Sequence, residues 1–107
     1  MSAIDEFVAL LDETEPMQQL LKSLKEEPAY LLGYICQEYE KTGQAVPDHH
    51  LHLPGYVGEA SLRALLAGKL ISREPGARTS LYAYKPTDNG LEQYRKLERD
   101  GFYKKGG

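Results

Sequence analysis

The sequence predicts an α+β fold that is mostly helical. Apolar residues recur at helical spacing through most of the 107-residue chain, which is typical of amphipathic helices packed around a core. Two strand-like segments, Leu70–Arg73 and Ser80–Tyr84, flank the turn-rich stretch Pro75–Thr79. That arrangement predicts one β-hairpin over Leu70–Lys85. A single hairpin among several helices indicates one compact domain with a small sheet.

The first half of the chain predicts three helices. Ser2 can cap the first, with Asp5 three residues later, and Pro16 and Pro28 are placed to open the second and third. Gly43 then supplies a helix stop. The apolar stripes of these helices are Ile4, Phe7, Val8 and Leu11; Met17, Leu20, Leu21 and Leu24; and Leu31, Leu32, Ile35 and Tyr39.

The second half predicts two further helices, one on each side of the hairpin. An irregular segment comes first, in which Asp48 can cap a short helix and Pro54-Gly55 can form a turn. The helix after it ends near Gly68, and the last helix extends from its cap Thr87 to Gly101. The apolar stripes here are Val57, Leu62, Leu65 and Leu66, and then Leu91, Tyr94 and Leu97.

These patterns divide the chain into an N-terminal helical extension at residues 1–27, a main domain at 28–103 and a disordered basic tail at 104–107. The one cysteine, Cys36, excludes an internal disulfide and favours the reducing cytoplasm. No apolar run is long enough for a transmembrane helix, so we expect no membrane partner.

Charge is unevenly distributed along the chain. The net charge is −3, which by itself argues against a polyanionic partner. Residues 1–59, however, hold 11 acidic and three basic side chains, whereas residues 60–107 hold five acidic and 10 basic ones. Because salt screens charges over about 8–10 Å, one basic face can attract a polyanion even when the total is negative.

The segment that starts at Ala60 has a characteristic order of parts. A helix at Ala60–Ala67 leads into the pair Leu70-Ile71, a hairpin follows at Arg73–Ser80, and the strand Leu81–Lys85 leads into the helix start Pro86–Gly90. This order resembles the winged helix-turn-helix superfamily of transcription regulators. The resemblance implies a recognition helix followed by a wing, with extra helices at the N-terminus and one at the C-terminus.

The resemblance also implies a DNA-binding transcription regulator. In such domains the recognition helix lies in the major groove and the wing reaches a neighbouring groove or the backbone. Double-stranded DNA is therefore the expected partner. We also expect a homodimer formed through the N-terminal and C-terminal helices together with Phe102 and Tyr103. The expected DNA contacts are Ser61 and Arg63 on the helix, Lys69 after it, and Arg73, Arg78 and Thr79 in the wing.

Two departures from the superfamily pattern keep a second hypothesis open. Glu59 stands near the start of the predicted recognition helix, where a carboxylate repels phosphate, and the segment before that helix is short and rich in histidine and proline. Together with the acidic first half, these features favour a winged helix that binds another protein within a larger assembly and binds DNA weakly.

The sequence predicts no catalytic residue, cofactor or metal, and we expect the protein not to be an enzyme. His49, His50 and His52 are close together, but zinc needs three or four ligands and no further Cys/His set is near. A metal- or pH-responsive sensor built on this turn is a third hypothesis. Cys36 lies in an apolar helix with no basic neighbour, which predicts a buried, inert thiol.

Overall fold

The computed structural model describes residues 2–53 and 55–104, and its architecture confirms the α+β, mostly helical class. Pro54 of the predicted turn and residues 105–107 of the predicted tail lie outside that part. The helices are α1 (Ala3–Leu11), α2 (Glu15–Gln18), α3 (Glu27–Thr42), α4 (Gly55–Ala67) and α5 (Asp88–Arg99). The strands are β1 (Val46–Pro47), β2 (Ile71–Pro75) and β3 (Tyr82–Pro86). Short 3-10 turns lie at Lys22–Leu24 and Asp48–His50.

Three predicted helix ends are confirmed by their capping geometry. The Ser2 hydroxyl accepts a hydrogen bond from Asp5 N–H (3.3 Å), and the Thr87 hydroxyl accepts one from Gly90 N–H (3.1 Å). Each satisfies an amide that a helix N-terminus leaves without a partner. At the end of α3, Gly43 adopts φ +71°, the left-handed conformation that terminates helices and favours glycine.

The three strands form an antiparallel sheet in the order β1-β3-β2. The hairpin strands begin one or two residues later than the sequence predicts. Leu70 lies in the turn that closes the end of α4, because its N–H donates to Leu65 O (3.0 Å). Ser80 belongs to the loop, because its N–H donates to Ala77 O (3.2 Å).

The N-terminal helices share the core of the main domain. Phe7 and Leu11 of α1 are fully buried, as is Met17 of α2. The first turn of α1 is also tied to the end of α5, where Asp100 Oδ2 accepts a hydrogen bond from Ala3 N–H (2.8 Å). The described part of the predicted extension, residues 2–27, therefore contributes side chains to one continuous core.

The predicted homodimer seam is not supported. Phe102 and Tyr103 fold back onto α3 of their own chain: the Tyr103 hydroxyl donates to Ala29 O (2.7 Å), and the ring centroids of Phe102 and Tyr30 are 4.7 Å apart. Among the predicted N-terminal stripes, Leu21 is the exposed exception, at 67%. Apart from Leu21, the apolar faces that sequence alone leaves without a partner are thus covered or partly covered inside the domain.

Candidate functional site

The loop of the hairpin is compact and presents two of the predicted contact residues. Residues 76–81 connect the strands, and Gly76 N–H donates to Leu81 O (3.0 Å). A Cβ atom at Gly76 would overlap the backbone of Ser80, so the loop closes this tightly only with glycine there. Arg78 adopts φ +59°, and both Arg78 and Thr79 are exposed at the tip.

The base of the loop is anchored to the 3-10 turn at Asp48–His50. Asp48 Oδ2 accepts a hydrogen bond from Tyr82 N–H (3.1 Å), and His49 Nδ1 lies 2.6 Å from the hydroxyl of the buried Ser80. The prediction that Asp48 caps a helix is therefore wrong, because its carboxylate bonds a strand instead. Sequence reasoning missed this anchor, since the partners are 34 and 31 residues apart.

Arg73 lies on β2 against two tyrosines of β3. Its guanidinium carbon is 4.4 Å from the centroid of the Tyr82 ring, a cation–π contact. It stands directly across the ladder from Tyr84, whose pKa is raised by burial and partly lowered by the Arg73 charge. Arg73 remains exposed. The Tyr82 ring thus orients a solvent-facing cation along the hairpin.

The α4 helix separates its predicted contact residues onto two faces. Arg63 is exposed, as is Glu59 one turn earlier on the chain. Ser61 is only 2% exposed, and its hydroxyl is buried. A buried hydroxyl does not meet a groove of DNA, so we remove Ser61 from the contact set. The periodicity of α4 was ambiguous here because small polar residues fit either face of a helix.

Most basic side chains between Arg63 and Lys85 have no carboxylate partner among the described residues. Arg63, Lys69 and Arg78 form no ion pair or hydrogen bond through their side chains with any residue the structure describes, and Lys69 is exposed just beyond α4. Within the hairpin, Lys85 lies 3.6 Å from Glu74. Elsewhere, four cations are paired with carboxylates at 2.6–3.8 Å: Lys25 with Asp12, Lys41 with Glu38, Arg95 with Glu40 and Lys96 with Glu92. Lys22, Arg99 and Lys104 are exposed and form no ion pair with the described residues.

The histidine turn and the cysteine take structural positions. Across residues 2–53 and 55–104, no three His, Cys, Asp or Glu side chains are grouped so that they could hold a metal ion. His49 bonds Ser80 as described, and its ring packs edge-on against His50. Burial raises the pKa of the Cys36 thiol to about 12, which keeps it protonated and a poor nucleophile at neutral pH.

Comparison of the chain with known protein families, with curated proteins and with solved structures finds no significant match. In the described part of the chain, none of the helices combines the length and apolar character needed to cross a membrane. We therefore infer the function from the geometry of the site.

Proposed function

We propose that this protein is a winged-helix DNA-binding protein that acts as a transcription regulator. In this assignment the three helices of the motif are α3, the 3-10 turn at Asp48–His50 and α4. The recognition helix is α4, and the wing is the β2–β3 hairpin. The element order and the three-stranded sheet with β3 in its centre support the assignment. The second helix of the motif is reduced to a single 3-10 turn.

The observation that carries the proposal is the set of uncompensated cations on α4 and the hairpin. A basic side chain already paired with a carboxylate gains little from a phosphate. An exposed, unpaired one displaces counterions from the DNA when it binds a phosphate, and their release favours binding. Arg63, Lys69 and Arg78 are of the second kind. Arg73 is restrained by its ring contact with Tyr82, which reduces the rotamer entropy lost on binding.

The proposed role of each contact residue follows from its position in the fold. Arg63, on the exposed face of α4, is placed to read a base edge, since its fork of donors matches the two acceptors of guanine. Lys69, Arg73, Arg78 and Thr79 contact phosphates. Glu59, exposed on the same helix, accepts from a cytosine amine or faces away from the duplex.

The test is fluorescence anisotropy with random duplex DNA at low and moderate salt. The variant with Arg73→Ala and Arg78→Ala should bind at least about 10-fold more weakly, and the slope of log Kd against log salt should fall by about 1.8, or 0.9 per lost phosphate contact. The matched control, Arg95→Ala with Lys96→Ala, removes the same charge from α5, where both residues are ion-paired. The control should bind as the wild type does.

Equal weakening of both double variants would mean that net charge alone governs binding and would overturn the assignment of the site. Absence of salt-sensitive binding by the wild type would overturn DNA binding itself. Enrichment of one operator sequence from a random pool would support a regulator that reads bases through Arg63.

A second candidate function is a winged helix that binds another protein. The observation in its favour is Leu81, which is 78% exposed at the end of the hairpin loop, beside the half-exposed ring of Tyr82. A pull-down in which a partner is retained by the wild type and by Leu21→Asp, but lost with Leu81→Asp, would select this function. Leu21 is the control because it is similarly exposed on another part of the surface.

A further inference from the structure

A largely apolar cavity of about 500 Å³ lies between α3 and α4. Its walls include Tyr30, Leu31 and Tyr34 from α3 and Val57 and Ser61 from α4. A volume of this size falls within the range of small-molecule sites, which are concave and apolar with a few polar groups. The cavity is separate from the hairpin and its arginines.

Ser61 gives the cavity an unused hydrogen-bonding group. The residue lines the cavity and is 2% exposed, and its hydroxyl has no hydrogen-bond partner among the described residues. Buried polar atoms in folded proteins are nearly always partnered, so an orphaned hydroxyl at a cavity wall points to a partner that enters from outside the chain. A helix needs no serine at this position, because alanine packs there with better helix propensity.

The walls of the cavity are held in place by specific contacts. The Tyr34 hydroxyl donates to His50 O (3.2 Å), which bridges α3 to the segment before α4. Gly58 lies so close to Leu53 that a Cβ atom would overlap the Leu53 backbone. The hydroxyl of Tyr56 donates to Gln19 O and fixes the first turn of α4. The cavity is therefore a formed feature between braced elements.

The charges at the cavity indicate the character of its ligand. Its described lining contains neither lysine nor arginine, and Glu27 is the one carboxylate there. His50 and His52 also line the cavity, and their ring nitrogens can hydrogen-bond a polar group of a ligand. A carboxylate on the ligand would face Glu27 with no lysine or arginine to compensate its desolvation, which is costly. The rings of Tyr30 and Tyr34 suit an aromatic ligand, since aromatic pairs gain beyond their buried area.

We propose that the cavity between α3 and α4 binds a small, neutral aromatic molecule whose hydroxyl or similar polar group bonds the Ser61 hydroxyl. This site is independent of DNA binding, and its test uses no nucleic acid. Such a molecule would bury its ring against Leu31 and Val57 while satisfying the group that the chain leaves unpaired.

The experiment compares three probes that share one ring: toluene, phenol and benzoate. Their binding to the full chain is followed by amide chemical-shift titration. Phenol should bind about three- to tenfold more tightly than toluene, the value of one neutral hydrogen bond. Benzoate should bind more weakly than phenol. Shifts should concentrate on the amides of α3 and α4 around the cavity.

Three variants make the result specific. Ser61→Ala should bind toluene as well as the wild type does but lose the preference for phenol. Val57→Trp should fill the cavity and abolish binding of both probes. Leu21→Trp introduces the same side chain at an exposed residue outside the cavity and should leave binding unchanged.

Equal affinity for phenol and toluene, tightest binding of benzoate, or shifts located away from α3 and α4 would each overturn the proposal. So would a phenol preference that survives in Ser61→Ala. Should Val57→Trp fail to fold, as judged by its amide spectrum, the Ser61→Ala comparison still decides the question.

Discussion

The α3–α5 contact and the hairpin use the same residue types in opposite ways. Where α3 meets α5 and the segment after it, tyrosine and arginine find partners within the domain: the Tyr103 hydroxyl donates to Ala29 O (2.7 Å), and Arg95 lies 2.6 Å from Glu40. In the hairpin, Arg78 is exposed without a partner in the described chain, and Tyr82 is stacked with Arg73 at the surface. One region is closed by its own contacts, and the other presents its groups to solvent.

This difference in pairing indicates which region stabilises the fold and which region is available to bind a ligand. Partnered polar groups at a packed contact contribute to stability, and their removal weakens the fold. Exposed groups without partners contribute little to stability and are free to bind a ligand. The comparison therefore predicts that substitutions in the closed region change unfolding, whereas those in the hairpin change binding and leave unfolding alone.

The largest effect should come from Phe7→Ala, which tests whether α1 belongs to the closed region. Phe7 is fully buried, so truncation should lower the free energy of unfolding by about 3–5 kcal/mol through lost transfer energy and a residual cavity. Urea denaturation measures this. Leu10→Ala on the same helix is the control, because Leu10 is 43% exposed, and it should lose far less. Equal losses would show that α1 is not part of the core.

The second expected effect is a pH dependence of the free energy of unfolding, caused by the buried thiol of Cys36. Burial raises the pKa of the thiol from 9.0 to about 12, so the unfolded chain ionises first and releases a proton that the folded chain retains. Stability is therefore complete below about pH 9 and falls as pH rises above it. The loss at about pH 10 should be about 1.4 kcal/mol.

The measurement is thermal unfolding of wild type and Cys36→Ala between about pH 8 and about pH 10. Tyrosines begin to ionise near the upper end of this range, but both proteins contain the same tyrosines, so their contribution cancels in the difference. The difference in stability between the two proteins should shrink as pH rises. A difference that stays constant would show that Cys36 is not protected from ionisation in the folded state.

A smaller effect is expected at Thr87, where the end of α4 meets α5. Its hydroxyl accepts from Gly90 N–H (3.1 Å) and donates to Lys69 O (2.7 Å). Thr87→Ala should lower the free energy of unfolding by about 1 kcal/mol, the usual cost of losing a helix cap. Thr87→Ser retains the hydroxyl and should restore most of the loss. No difference between the two variants in urea denaturation would show that the cap is dispensable.

The smallest effect on stability should come from the hairpin. Arg78→Ala removes a side chain with no described partner, so its urea midpoint should match that of the wild type while its affinity for DNA falls. A clear loss of stability would mean that the hairpin is closed by contacts of Arg78, which would remove the contrast between the two regions.

Local rules determined the elements of this fold. The caps at Ser2 and Thr87 and the stop at Gly43 are confirmed because each depends on neighbours within three or four residues. The hairpin was also predictable, since alternating strands and a glycine-containing turn are adjacent in sequence. Its strands begin later than predicted because the N–H groups of Leu70 and Ser80 bond Leu65 O in α4 and Ala77 O in the loop, so they are not paired in the sheet.

Only the tertiary structure decided what each surface meets. The sequence leaves the stripe of Phe7 and Leu11 without an evident partner, yet both residues are buried and α5 packs against α1 within the same chain. The interior position of Ser61 and the bond from Tyr82 N–H to Asp48 likewise depend on residues distant along the chain. Periodicity shows that a face must be buried, but the partner that buries it is chosen by packing over the whole domain, which no local pattern encodes.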